Sequence, residues 1–293
     1  MTSSLPDIQC SSSNIKIPIK EVGVENIEVP FLLESKYGGS IQLNANVSIR
    51  TNLDEDTKGI SMSRLLLTLK SYLNLPLKHT LINTILEDLK GNIGSDSSYI
   101  KFEFRMPIIK KSILTENAFP IYYKCRFEGQ LINKNVWISP NRMKPKDIFT
   151  FYQGVIVQYA SYCPCSAELC NHLKQNESNG FPHNQRSFAD ILVEGNPSKY
   201  IWLEDIIEAV ERNIKTLPYP IIKRIDEQEI ARVASKNPLF VEDAIRIISD
   251  TLNKLPVVDW IVKCIHQESI HTSEAIAVNW KGVPEGFNGR AYI

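Results

Sequence analysis

Apolar residues alternate with polar ones at Ile41, Leu43, Ala45, Val47 and Ile49, which places them on one face of an extended segment. This pattern predicts strands over 24–33 and 41–51, joined through the turn-forming run Lys36-Tyr37-Gly38-Gly39-Ser40. The period then lengthens. Met62, Leu65, Leu66 and Leu69 share one side of a helix over 61–74, and Leu81, Ile82, Ile85, Leu86 and Leu89 do the same over 78–90. Alternation returns at about 98–108 and 119–133, so the first half reads ββααββ. The second half repeats the order, with strands at 147–162 and 186–194, helices at 202–214, 226–235 and 238–254, and strands at 256–267 and 274–280. Pro218, Pro220 and Pro238 punctuate its helical region. Ser139-Pro140-Asn141 and Lys144-Pro145-Lys146 interrupt the pattern between the halves. The expectation is an α+β chain of two tandem ββααββ units, 21–140 and 141–293, behind a Ser-rich arm over 1–20 that is expected to be flexible. The repeat is architectural, without self-similarity at the level of residues.

Composition narrows the function. The chain has 293 residues, 43% hydrophobic and 23% charged, which is the balance of a soluble globular protein. Lys plus Arg and Asp plus Glu are both 33, so the basic footprint of a nucleic-acid binder is missing and an anionic ligand needs a local cluster. No apolar run reaches the roughly 18 residues of a membrane span, and the polar N-terminus has no apolar core of a secretory signal. A cytoplasmic location is expected. There the six cysteines would be free thiols or ligands rather than disulfides.

One stretch concentrates chemistry. Tyr162-Cys163-Pro164-Cys165-Ser166 is followed by Gly180-Phe181-Pro182-His183-Asn184-Gln185-Arg186-Ser187. Thiolate and imidazole together suit a borderline-soft metal such as zinc, and equally an activated cysteine nucleophile. A single proline separates the two cysteines, whereas paired metal clamps use two spacer residues. One ligand or nucleophile is therefore expected there; the competing reading makes both cysteines small buried hydrophobes. Among the five histidines, His183 stands in a loop or strand entry, where functional imidazoles are often placed. His266 and His271 are five apart, so an extended strand would send them to opposite faces. The carboxylates Glu204, Glu208, Glu211, Glu227, Glu229 and Glu242 cannot be ranked by spacing alone.

Taken together, these segments resemble the type IB GTP cyclohydrolase I family. The resemblance is carried by Gly59-Ile60-Ser61-Met62-Ser63-Arg64, Tyr162-Cys163-Pro164-Cys165-Ser166, His183-Asn184-Gln185-Arg186-Ser187, Tyr219 to Glu227, Asn237 to Asp243 and Glu268-Ser269-Ile270-His271. It implies the tunnelling fold, in which ββααββ units with helices on one face of antiparallel sheets assemble into barrels. It implies conversion of GTP to formate and 7,8-dihydroneopterin triphosphate, the first step of tetrahydrofolate synthesis. Carried over by motif, Cys163, Glu227 and His271 hold one divalent metal, zinc first and manganese or iron(II) as alternatives. His183 lies beside the metal as ligand or proton shuttle, and Glu242 anchors the guanine edge. Arg186 and Arg64 are the candidates for the triphosphate. The resemblance also implies a homo-oligomer, a tetramer by expectation, with sites at subunit interfaces.

Two departures accompany the match. Ser61 stands where the family motif has histidine, and about eight extra residues lie around 170–180, expected as a surface loop beside the site. Two rival readings use the same residues. A nitrile reductase of queuosine synthesis, also a tunnelling-fold enzyme, would use Cys163 as a covalent nucleophile without metal. A non-catalytic protein would use the Cys/His set as a structural zinc site.

Overall fold

The structure is a computed structural model of the chain, and it describes residues 8–9, 11–139, 142–175 and 180–287. Nine strands and six helices occur among the described residues. In chain order they are β1 (Ile19–Glu34), β2 (Ser40–Leu53), α1 (Met62–Lys70), β3 (Pro76–Leu77), α2 (His79–Ile93), β4 (Ser97–Lys111), β5 (Ala118–Ser139), β6 (Arg142–Tyr162), α3 (Pro164–Gln175), β7 (Asn184–Gly195), α4 (Leu203–Ile214), α5 (Arg224–Ser235), α6 (Val241–Asn253), β8 (Val257–Gln267) and β9 (Glu274–Trp280). Every element expected from periodicity is present, most with ends shifted by a few residues. The two-residue β3 and the helix α3 are additions. The 170–180 stretch, expected as a loop, is helical up to Gln175, and 176–179 fall outside the described residues.

The chain forms two compact units, one from 1–105 with 126–152 and the other from 106–125 with 153–293. The long strands β4, β5 and β6 each contribute to both. The break in the sequence pattern near 135–146 coincides with the end of β5 and the start of β6.

In the first unit, β1 pairs antiparallel with β2, β2 antiparallel with β4, and β3 parallel with β1. Alternation decides the faces. Ala45, Val47, Ile49, Thr51 and Leu53 of β2 are buried together with Ile100, Phe102 and Phe104 of β4. Over that face lie Leu65 and Leu69 of α1 and Ile82, Ile85, Leu86 and Leu89 of α2, the same stripes that the sequence marks. Gly129 is required by this packing, because a Cβ there would sit 2.3 Å from Cγ2 of Ile82. Part of the N-terminal arm is tied down: Gly59 N–H donates to the Gln9 carbonyl and Lys58 N–H to that of Ser11.

The second unit carries β7, β8 and β9 in antiparallel succession. Its core joins Ala189, Ile191 and Val193 of β7 and Trp260, Val262 and Cys264 of β8, one face by register, to the apolar faces of α4 and α6. Ile206, Ile207 and Val210 supply the α4 face, and Ala244, Ile248 and Leu252 the α6 face. Burying each large aliphatic side chain stabilises by roughly 1.5–3 kcal/mol, so this repeat of apolar positions holds α6 and its N-terminus in place. Asp226 fixes α5 in turn. Its buried carboxylate accepts from the backbone N–H groups of Leu114, Thr115 and Lys223, each at 2.9 Å, and from the Thr115 hydroxyl at 2.5 Å. Burial would raise its pKa, but these hydrogen bonds outweigh it and hold the carboxyl well below the ordinary carboxylate range.

Candidate active site

Cys163 occupies the joint between β6 and α3. Its carbonyl accepts from Ala167 N–H at 3.0 Å and its Sγ from Ser166 N–H at 3.5 Å, so cysteine serves as the N-cap of α3. Pro164 fits the first helical position, where its missing N–H is not needed. The sulfur therefore lies at the first turn of α3. Cys163 is partly exposed and Cys165 exposed, which departs from the reading of both as buried hydrophobes.

The His183 segment is fastened to this joint. Cys163 N–H donates to the His183 carbonyl at 3.3 Å, and His183 N–H donates to Ser166 Oγ at 3.3 Å. The His183 side chain is 15% exposed, its Nδ1 has no hydrogen bond, and Oε2 of Glu268 stands 3.7 Å from that atom. Glu268 directly follows β8. The link before α6 is tied to the same joint, because Leu239 N–H donates to the Tyr162 carbonyl at 3.0 Å. This brings Glu242, in the first turn of α6, to the cysteine end of the unit.

These elements surround an open cavity of about 560 Å³. Its walls include Cys163, Cys165, Ser166, His183, Gln185, Glu242, Glu268 and His271. Four residues chosen from sequence, Cys163, His183, Glu242 and His271, are thus brought together. Three are not. Glu227 is exposed in the first turn of α5 and does not line this cavity. Arg186 is exposed on β7, and strand alternation turns it away from the face of Gln185 and Ser187. Arg64 belongs to the first unit, where it borders a separate cavity of about 140 Å³ with Asn52, Asp54, Ser61 and Ser95.

The two histidines part, but not as opposite faces of one strand, because β8 ends at Gln267. His271 lies exposed in the β8–β9 turn, while His266 is fully buried. Sequence reading had no role for His266, Gln185 or Glu268. The inward register of β7 and β8 could have pointed to the first two, since Gln185 and Ser187 continue the buried row of Ala189 and Ile191.

The donor types around the cavity, two thiols, two imidazoles and three carboxylates, suit a borderline-soft divalent metal, and Nδ1 of His183 makes no hydrogen bond of its own. Among the described residues, however, no three His, Cys, Asp or Glu side chains of one chain converge into a metal-holding group. The chemistry fits, and the convergence within a single chain is incomplete.

Comparison with known proteins decides the family. The family model described as type I GTP cyclohydrolase folE2 matches residues 5–277. The chain belongs to the FolE2 family of GTP cyclohydrolases. A GTP cyclohydrolase FolE2 of Dictyoglomus turgidum is 32% identical over 279 residues, covering 95% of this chain and 98% of the relative. One of Cereibacter sphaeroides is 31% identical over 285 residues, covering 95% of this chain and 76% of the relative. Among solved structures, a uricase from Bacillus fastidious shares the fold with a TM-score of 0.52 and 8% identity, over 89% of this chain and 92% of that one. A urate oxidase of Bacillus sp. TB-90 does so with a TM-score of 0.53 and 8% identity, over 89% and 98%. The architecture is the tunnelling fold. No helix of the described residues is long and apolar enough to cross a membrane.

Proposed function

We propose that this FolE2-family chain is a GTP cyclohydrolase I. It opens the imidazole ring of GTP at C8, releases formate and recloses the skeleton as 7,8-dihydroneopterin triphosphate, feeding tetrahydrofolate synthesis. Cutting both C8–N bonds consumes two waters and reclosure returns one, so the net reaction uses one water. The observation that carries the proposal is the cavity itself. It gathers Cys163, His183, Glu242 and His271, far apart in sequence, in a chain whose family is that of the cyclohydrolases.

Each side chain has a task that its placement permits. The Glu242 carboxylate can accept from the guanine N1–H and 2-amino group, a pairing adenine cannot supply. His183, with Nδ1 unpartnered and Glu268 beside it, is placed to hold or move a proton at N7 or N9 as the ring opens. Cys163, Glu227 and His271 would hold one divalent cation, zinc, manganese or iron(II), with His183 beside it as ligand or proton shuttle. That cation supplies Lewis acidity for generating a nucleophile from water near neutral pH.

Glu227 lies outside the cavity of its own chain, so the ligand set calls for assembly. A homo-oligomer, a tetramer on this reading, would close the site at a subunit interface and could bring Arg64 and Arg186 to the triphosphate. The test is to load the purified protein with each metal, add GTP, and measure formate and fluorescent neopterin. Absence of both products with all three metals would overturn the assignment.

A further inference from the structure

Gln185 lines the cavity, yet it is 5% exposed. Its Nε2 lies 3.2 Å from Nδ1 of His266, while its Oε1 has no hydrogen-bond partner. Buried amide oxygens are rarely left so, because the missing bond destabilises by roughly 1–3 kcal/mol. His266 is itself fixed from both sides. Its Nε2 is 3.0 Å from the Tyr159 hydroxyl, and its Nδ1 is 3.3 Å from Ser161 Oγ, which bonds Ser187 Oγ at 2.9 Å.

Burial keeps this cluster uncharged. It lowers the pKa of His266 to about 4, pushes Tyr159 far above its ordinary value and raises Cys264 to about 12. A neutral His266 that gives its Nε2 proton to Tyr159 has Nδ1 free to accept from the Gln185 amide. The amide is then oriented with its oxygen as the group left over. Glu242 lines the same cavity as Gln185.

We propose that Gln185 is a second base-recognition residue, its amide oxygen accepting from the 2-amino group of guanine, with His266 as the residue that positions it. This rests on the GTP reading above. A guanine 2-amino group has two hydrogens. One pairs with Glu242 together with N1–H, and the second needs an acceptor that a single carboxylate facing the N1 edge does not provide. Inosine nucleotides keep N1–H and lack the amino group, so the chemistry separates the two contacts.

The experiment uses the assembled, metal-loaded enzyme and compares GTP with ITP by equilibrium binding. Gln185→Ala should weaken GTP about ten-fold, the size of one net hydrogen bond, and ITP by less than about two-fold. Tyr159→Phe, which removes only the hydroxyl that holds His266, should weaken GTP about three-fold with metal content and kcat unchanged. Gln185→Met keeps the side-chain length without its polar end and reads the same GTP-to-ITP ratio if the alanine variant does not fold. Equal losses for GTP and ITP, or none for either, in a folded and metal-loaded variant would overturn the role of Gln185. A wild-type protein that binds no GTP would overturn the activity itself.

Discussion

Replacing Glu242 by glutamine isolates guanine recognition from metal chemistry. In the structure Glu242 stands in the first turn of α6, where the helix N-terminus favours a carboxylate. It is exposed in the free chain, so part of its interaction with a base is screened by water. Hydrogen bonds to a charged acceptor contribute roughly 1.5–3 kcal/mol each, and screening argues for the lower end. Glutamine keeps one acceptor oxygen and turns an N–H pair toward the other base donor. The expected loss is about 2 kcal/mol, or about 30-fold in the KM for GTP. The assay is steady-state neopterin formation across GTP concentrations, with metal content measured on the same preparations. Metal content should match wild type, because Glu242 is assigned to the base and not to the cation. A variant that loses metal while keeping its GTP affinity would show Glu242 to be a ligand, and an unchanged KM would remove it from the site.

The remaining expectations concern the cysteine joint, a buried histidine and assembly. Cys163→Ala should abolish metal binding and turnover while leaving the melting temperature within a few degrees of wild type; full activity in excess metal would refute its role. The His266 pKa is depressed in the folded state from 6.5 to about 4, so the unfolded chain takes up the proton first. The stability this group contributes is complete above pH 6.5 and is lost as pH falls toward 4, about 2 kcal/mol by pH 5. Thermal melts should therefore show a smaller loss between pH 7 and pH 5 in His266→Gln than in wild type, and parallel profiles would contradict the burial argument. Chelation with EDTA or dipicolinate should abolish activity, and added zinc, manganese or iron(II) should restore it. Dilution to monomer, followed by size-exclusion chromatography with light scattering, should lower activity, and a fully active metal-free monomer would refute both expectations.

The strands and most helices were legible because burial is decided by period. Val47 and Ile49 of β2, or Ile82, Ile85 and Leu89 of α2, are apolar at positions that share one face, and the structure buries them there. The helix α3 was not legible. Its residues Ser166, Glu168, Asn171 and His172 break up any apolar stripe, and its start depends on a cysteine cap, which is uncommon at helix N-termini. The site was legible only in part. Motif resemblance led to Cys163, His183, Glu242 and His271, which share a cavity, but it could not show which arginines face it. Gln185 and His266 were hidden for another reason. Polar residues in a strand read as its wet face, and only the register of β7 against β8, pairing Ser187 with His266, places them inside.

The incompleteness of the cavity follows from the same construction. Each candidate side chain of the cavity sits at the end of an element whose position is set by the core of one unit: Cys163 by the exit of β6, Glu242 by the packed face of α6, His271 by the β8–β9 turn. Such ends gather at the rim of a unit rather than in its interior, which is why the cavity is open and His271 and Glu242 remain exposed. An open rim cannot desolvate a charged acceptor. Exposed Leu169, Phe181, Phe240 and Ile270 stand on the same segments, between 40% and 89% accessible, and apolar side chains at a polar rim favour contact with another surface. On the proposed reading, a second copy of the chain meeting that rim would bury them, exclude water from the base and supply the ligand assigned to Glu227.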